Sequence, residues 1–277
     1  VNVNAVTELK ASDLTDLTTF HTNRAGFSNT TNIATINLTD NGGAGTSVDY
    51  TTLETIVDNF RAAGADGINE NAVFKFANAD AITIDDSSEI TAYLADINSG
   101  ALALTNQTVT VNSSAELSVT NARTIAADTS GAVTATIASA SRVSDLTALR
   151  NPGGGNEENA WTITVNNDDA ANQVTAAELN TLNAATSVAV NVNAVTELKA
   201  SDLTDLTTFH TNRAGFSNTT NIATINLTDN GTSGVGTAVD YSTLETIVDN
   251  FRAAGADGIN ENAVFKFASG DDIAIDN

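Results

Sequence analysis

Residues 1–41 and 190–230 are one string of letters written twice, opening VNVNAVTELKASDLTDLTTFHTNR in each copy. A chain that repeats itself at a long fixed interval folds as an array of like parts, so the repeat is read before any local propensity. A Gly-rich loop then differs, GGAGTSVDY in the first copy against GTSGVGTAVDY in the second. Matching resumes from Tyr50/Tyr241 to Phe76/Phe267 with one change, Thr51 to Ser242. The insertion therefore falls in a surface loop, where added length costs little. Residues 1–189 make one full long repeat and residues 190–277 begin the second. Both ends fall inside the repeat, residue 1 is Val and the chain has no Met. The expectation is a processed product, or a slice of a longer protein with further copies.

A shorter rhythm runs inside the long one. Apolar pairs at helical spacing mark five short amphipathic helices: Leu14/Leu17, Leu53/Ile56, Ile90/Leu94, Leu146/Leu149 and Leu179/Leu182. Thr51/Glu54, Asp86/Glu89 and Thr175/Glu178 have the three-residue spacing of a capping box. The clearest helix is read from Thr51 to about Ala63, with Gly64 placed to end it. Between the helices stand β-branched or alternating runs: VNVNAV at Val1, IATINL at Ile33, AVFKF at Ala72, AITID at Ala81, AVTATIA at Ala132, WTITV at Trp161 and SVAVNV at Ser187. Strands alternating with helices predict parallel pairing through right-handed crossovers.

The fold expected is therefore α/β, a solenoid-like series of strand–helix units with parallel strands. Residues 1–100 and 139–189 carry those units, and residues 101–138 read as a local all-β insertion. The alternative is a string of compact α+β beads. The strong helix near Thr51 argues against immunoglobulin-like beads, which are almost free of helix.

Composition decides what such an array can meet. Acidic residues number 34 against 11 basic, a net charge of −23. That surface repels nucleic-acid phosphates and anionic membranes and suits small cations. No apolar run approaches the length of a membrane span. With 41% apolar residues the chain still buries a sizeable core.

Chemistry is sparse. The absence of Cys removes thiolate catalysis and disulfides. Histidine occurs only at His21 and His210, one position in two copies, and reads as a polar residue at a helix end. No Gly-x-Ser-x-Gly elbow is present, and NPGGGNEEN at Asn151 lacks the Lys-Ser/Thr of a phosphate loop. The pairs Asp85/Asp86 and Asp168/Asp169 precede helices and read as caps. No enzyme is expected. The candidate metal site is AGADGINENA, where Asp66, Asn69 and Glu70 surround Gly67 and recur as Asp257, Asn260 and Glu261. Oxygen-rich, Gly-relieved loops of this kind suit calcium, although a helix end plus a polar turn explains the same letters. Asn-x-Ser/Thr sequons such as Asn29 and Asn218 admit surface glycans.

The verbatim blocks, the sub-repeat ASDLTDL, VSDLTAL, AAELNTL, the missing Cys and the acidic surface together resemble the giant repeat proteins of bacterial cell surfaces: adhesins, S-layer-associated proteins and extracellular fibres. The resemblance implies an exported structural or adhesive role, in which copies of the chain are one another's partners, and it carries no catalytic residue. The function expected is a filament, surface layer or stalk built by repeated equivalent contacts. The alternatives are a calcium-stiffened adhesin module and, behind it, a carbohydrate-active enzyme.

Overall fold

The computed structural model describes residues 1–39, 47–76, 80–138, 143–150, 159–166, 174–200, 202–227, 239–267 and 273–274. The loop 40–46, most of NPGGGNEEN and the pair Asp168/Asp169 lie outside them. Two compact units divide the chain, Val1–Thr136 and Ile137–Asn277.

Unit 1 runs β1 (Glu8–Ala11), α1 (Leu14–Thr22), β2 (Thr35–Leu38), β3 (Ser47–Asp49), α2 (Tyr50–Arg61), β4 (Val73–Phe76), β5 (Ala81–Ile84), α3 (Ser87–Asn98), β6 (Leu102–Ala103), β7 (Thr108–Val111), α4 (Val119–Asp128) and β8 (Val133–Thr136). Unit 2 runs α5 (Val143–Leu146), β9 (Ala160–Thr162), α6 (Ala176–Asn183), β10 (Val190–Asn191), β11 (Glu197–Ala200), α7 (Leu203–Thr211), β12 (Phe216–Ser217), β13 (Thr224–Leu227), β14 (Val239–Asp240), α8 (Tyr241–Arg252), β15 (Val264–Phe267) and β16 (Ile273–Ala274). The protein is a mixed α/β structure with parallel sheets, as the alternation of runs and helices predicts.

Unit 1 holds two parallel ladders, β1-β2-β4-β6 and β3-β5-β7-β8. Register aligns Leu9 with Ile36, Ile36 with Phe74 and Phe74 with Leu102. In the second ladder Val48, Ile82, Val109 and Val133 form one row, and all four are buried. In unit 2 the row is Leu198, Ile225, Phe265. The chain returns to its neighbouring strand at uneven intervals: Val109 faces Val133, whereas Thr224 faces Val264. Alternation along each strand turns one face inward, as in β7, where Val109 and Val111 are buried between half-buried threonines. Each such buried side chain contributes about 1.5–3 kcal/mol.

Helices stack in the same order as the strands, α1 on α2, α2 on α3 and α3 on α4, and in unit 2 α6 on α7 and α7 on α8. Short polar side chains start them. Asp13 accepts from the Asp16 amide at 2.8 Å, and Ser118 from that of Asn121 at 3.2 Å. Thr175 and Glu178 form the expected capping box. The five helices marked by apolar pairs are present, the Leu146/Leu149 pair as one α turn followed by a 3-10 turn.

Three expectations are corrected. Residues 101–138 are not all-β, because α4 lies within them, capped by Ser118 and burying only Ala122 and Ile125. Thr51/Glu54 is not a capping box, because α2 already starts at Tyr50 behind Asp49, and Thr52 rather than Thr51 bonds to Asp49 at 2.8 Å. VNVNAV is not a strand in the first copy. Asn2 makes a single bridge to Ser28, and Val6 then turns back to bond the Val3 carbonyl.

Candidate functional site

The candidate metal residues lie in the turn after α2. Beyond Arg61 the backbone makes a 3-10 turn at Gly64–Asp66, with Gly64 at φ 73°. It then doubles back so that the Ile68 and Asn69 amides both donate to the Phe60 carbonyl, at 2.8 and 2.9 Å. Arg61 closes the turn from its other side, donating to the Ala72 carbonyl at 2.7 Å.

Each candidate has a defined partner or exposure. The Asn69 amide nitrogen donates to the Thr31 carbonyl at 2.9 Å and to that of Ile33 at 3.0 Å, and its oxygen accepts from the Asn71 amide at 2.9 Å. Asp66 pairs with Arg24 at 3.4 Å while its side chain stays 87% exposed. Glu70 is exposed. Asn260 repeats the pattern on the Thr220 and Ile222 carbonyls at 2.8 and 3.1 Å, Asp257 pairs with Arg213 at 3.3 Å, and Glu261 is exposed. Among the described residues no group of three or more His, Cys, Asp or Glu side chains is placed to hold a metal ion.

His21 joins this turn to α1. Its Nε2 lies 2.8 Å from the Asp66 carbonyl oxygen, so that nitrogen carries the proton and donates, and the ring packs on Phe60 at 5.9 Å. His210 does the same at Asp257 and Phe251, at 2.8 and 6.0 Å. The turn is thus a polar clasp fastening one helix to the next.

The same device recurs throughout. Asn32 bonds the Asn4 backbone carbonyl and side-chain oxygen, both at 2.8 Å, and Asn221 does so at Asn193. Asn29 and Asn218, each left-handed at φ 64°, donate to Asn2 and Asn191. Thr129 and Ser130 reach back to the Gln107 and Thr105 carbonyls at 2.6 and 2.7 Å, and Thr186 and Ser187 to those of Trp161 and Asn159 at 2.8 and 3.2 Å. Asn, Thr and Ser are abundant because their side chains satisfy the carbonyls that the turns leave unpaired.

Asn69→Ala leaves two carbonyls short of a donor and is expected to cost about 2 kcal/mol, read from the urea midpoint. Asn69→Asp is expected to cost more, because an acceptor then faces two acceptors. A calcium ligand would give the opposite ranking in the presence of calcium.

Sequence reasoning missed a second cluster. Tyr50 is fully buried, donates to Asp96 at 2.7 Å and meets Tyr93 edge-on at 5.3 Å. Among the described residues, the Tyr93 hydroxyl and Asp128 Oδ2 are buried without a hydrogen-bond partner. Burial, then the bond to Asp96, pushes the Tyr50 hydroxyl pKa up; burial, then the charge of Asp128, does the same for Tyr93. Burial raises Asp128 and, against the bond from Tyr50, Asp96. Of the expected capping pair only Asp86 caps α3; the Asp85 side chain bonds no helix amide. Asp86, bonded by the Ser88 hydroxyl and two amides, is held below the usual carboxylate range, and Asp85 accepts from Asn112.

The raised carboxyls bind protons more tightly folded than unfolded. Their contribution to stability is full below the ordinary carboxylate value of 3.8 and is lost as pH rises through the raised value. Asp128→Asn is therefore expected to stabilise unit 1 at pH 7, by about 1 kcal/mol. That gain disappears at about pH 3, where both states of the wild type are protonated. Paired melts at the two pH values measure it.

Compared with known protein families, with characterised proteins and with solved structures, the chain matches none.

Proposed function

We propose that this chain is an exported structural protein, a solenoid-like repeat that builds or extends an extracellular filament, surface layer or stalk. One observation carries the reading. The two copies hold not only the same letters but the same long-range contacts, His21 to Asp66 and His210 to Asp257 each at 2.8 Å, with Arg24 and Arg213 paired alike. Chemistry needs one constellation of groups, whereas a scaffold needs the same joint many times. The helices, stacked in step with the parallel ladders, give each turn of chain one way to receive the next, the property by which solenoids lengthen. The net charge of −23 keeps neighbouring assemblies apart in solution.

Electron cryomicroscopy of the protein, with and without calcium, tests this. Filaments or sheets with a regular repeat and continuous density between subunits are expected in both conditions. Isolated rods that straighten only with calcium would overturn the reading in favour of an adhesin stalk. A calcium titration separates the two again: a calcium-stiffened module gains melting temperature through linkage, and the filament reading expects no gain.

A further inference from the structure

An Asn-x-Ser/Thr sequon accepts a glycan on its side-chain amide nitrogen, so the fold must leave that nitrogen and the hydroxyl two residues on within reach. Five sequon asparagines are already engaged. Asn29 and Asn218, both left-handed, donate to Asn2 and Asn191 at 2.8 and 2.9 Å. Asn37 and Asn226, half-buried in their sheets, donate to Glu8 and Glu197 at 3.0 and 3.2 Å. The hydroxyl that completes the Asn37 sequon, on Thr39, is held by the Ala11 carbonyl at 3.0 Å. Asn112 donates to Asp85, and its partner Ser114 donates to the Asp85 carbonyl at 3.0 Å. A sugar on any of these nitrogens would replace a hydrogen beside an acceptor that the fold uses and would crowd the coil supplying it.

Asn106 differs. It is exposed at the bend between β6 and β7, where the chain passes from one ladder of unit 1 to the other, and β7 is itself paired on both sides, with β5 and β8. Among the described residues neither its amide nitrogen nor the Thr108 hydroxyl, two residues on, has a hydrogen-bond partner. The backbone beneath is fixed all the same. Ser130 donates its amide and hydroxyl to the Thr105 carbonyl at 2.8 and 2.7 Å, and Thr129 its hydroxyl to the Gln107 carbonyl at 2.6 Å. Gln107, fully buried, accepts from the Thr105 amide at 2.7 Å and donates to the Asn106 side-chain oxygen at 3.3 Å. The Asn106 amide is thus braced through its oxygen while its nitrogen stays unused.

We propose that Asn106 carries an N-linked glycan. The proposal rests on the reading of the chain as exported, because export brings it to the donor, an oligosaccharide held on a lipid pyrophosphate. In the transfer the Asn106 Nδ2 attacks the anomeric carbon of the first sugar. The bond from that carbon to the pyrophosphate oxygen breaks, the lipid pyrophosphate leaves with the electron pair, and the nitrogen gives up one proton. The side chain keeps its oxygen and one N–H, so the Gln107 contact survives and no bond of the bend is broken. Bulky and solubilising, the glycan adds to the net charge of −23 in holding neighbouring assemblies apart.

Glycopeptide mapping of the protein from its native source tests the site. A glycan on Asn106, with Asn29, Asn37, Asn112 and Asn218 unmodified, is expected; a bare Asn106, or glycans on the engaged asparagines as well, overturns the proposal. The fold's part is tested on the purified, folded chain, incubated with an oligosaccharyltransferase and a lipid pyrophosphate-linked oligosaccharide. The intact mass is expected to rise by one glycan with the melting temperature unchanged, and Asn106→Gln and Thr108→Val each to abolish the gain. A peptide of residues 102–111 shows that the transferase is active. Transfer to that peptide but not to the folded chain means that the bend closes the site and overturns the proposal. Filaments built from chains bare at Asn106 overturn the glycan and leave the filament reading standing, whereas a glycan on a chain that never assembles does the reverse.

Discussion

Gly67→Ala is expected to destabilise unit 1 by about 3 kcal/mol, well above the effect of Gly64→Ala three residues away. The ranking opposes what backbone angles alone suggest. Gly64 has the left-handed φ of 73° but open space where a methyl group would stand, so alanine there carries only the conformational penalty of about 1–2 kcal/mol. Gly67 has an ordinary φ of −100°, yet a Cβ on it lies 1.9 Å from the Ala62 carbonyl oxygen and 2.8 Å from its carbon. Both are backbone atoms, so no side chain can rotate away. Relief requires opening the turn, which breaks the Ile68 and Asn69 bonds to Phe60 and withdraws the Asn69 clasp from Thr31 and Ile33. A Cβ on Gly258 would stand 2.0 Å from the Ala253 oxygen, which predicts the same loss in unit 2. Urea unfolding measures both, and for Gly258→Ala the signal is Trp161, the single tryptophan, buried in that unit. If Gly64→Ala proves the more damaging, the close approach at Gly67 is not what shapes the turn.

Elements with two well-spaced large apolar residues were legible in the letters, because burial of a pair such as Leu53/Ile56 fixes both period and facing. Helix α4 was hidden for the matching reason: its buried positions are Ala122 and Ile125, and the surrounding Thr and Val read as strand. Strand β1 was missed because Glu-Leu-Lys-Ala favours helix locally, and only pairing with β2 makes it extended. At Thr51 the capping spacing was present, but α2 starts one residue earlier, at Tyr50, and the Thr51 hydroxyl donates to Glu89 instead.

The site divides in the same way. Asp66, Asn69 and Glu70 were visible as a cluster of oxygens, but the letters do not say which way an amide points. Asn69 answers to carbonyls at Thr31 and Ile33, 38 and 36 residues back along the chain, so its role as a donor belongs to tertiary structure. The Tyr50–Asp96 bond spans 46 residues and leaves no local motif. What the repeat did announce was equivalence, and the matched His–Asp and Arg–Asp contacts of the two copies are that equivalence in atoms.

The two copies of one tyrosine differ in burial, and there the second large effect is expected. Tyr50→Ala should cost unit 1 about 4 kcal/mol, and the same change at Tyr241 about 1 kcal/mol. Tyr50 has no exposed surface, lies edge-on to Tyr93 and holds the half-buried Asp96 carboxylate with its hydroxyl, so its removal leaves both a cavity and a charge without its donor. Tyr241 heads an otherwise near-identical helix, but among the described residues no counterpart of α3 covers it, and 43% of its surface already meets water. Melts of the two variants measure the difference, with Trp161 reporting the second. Equal costs would mean that the covering helix contributes nothing to Tyr50.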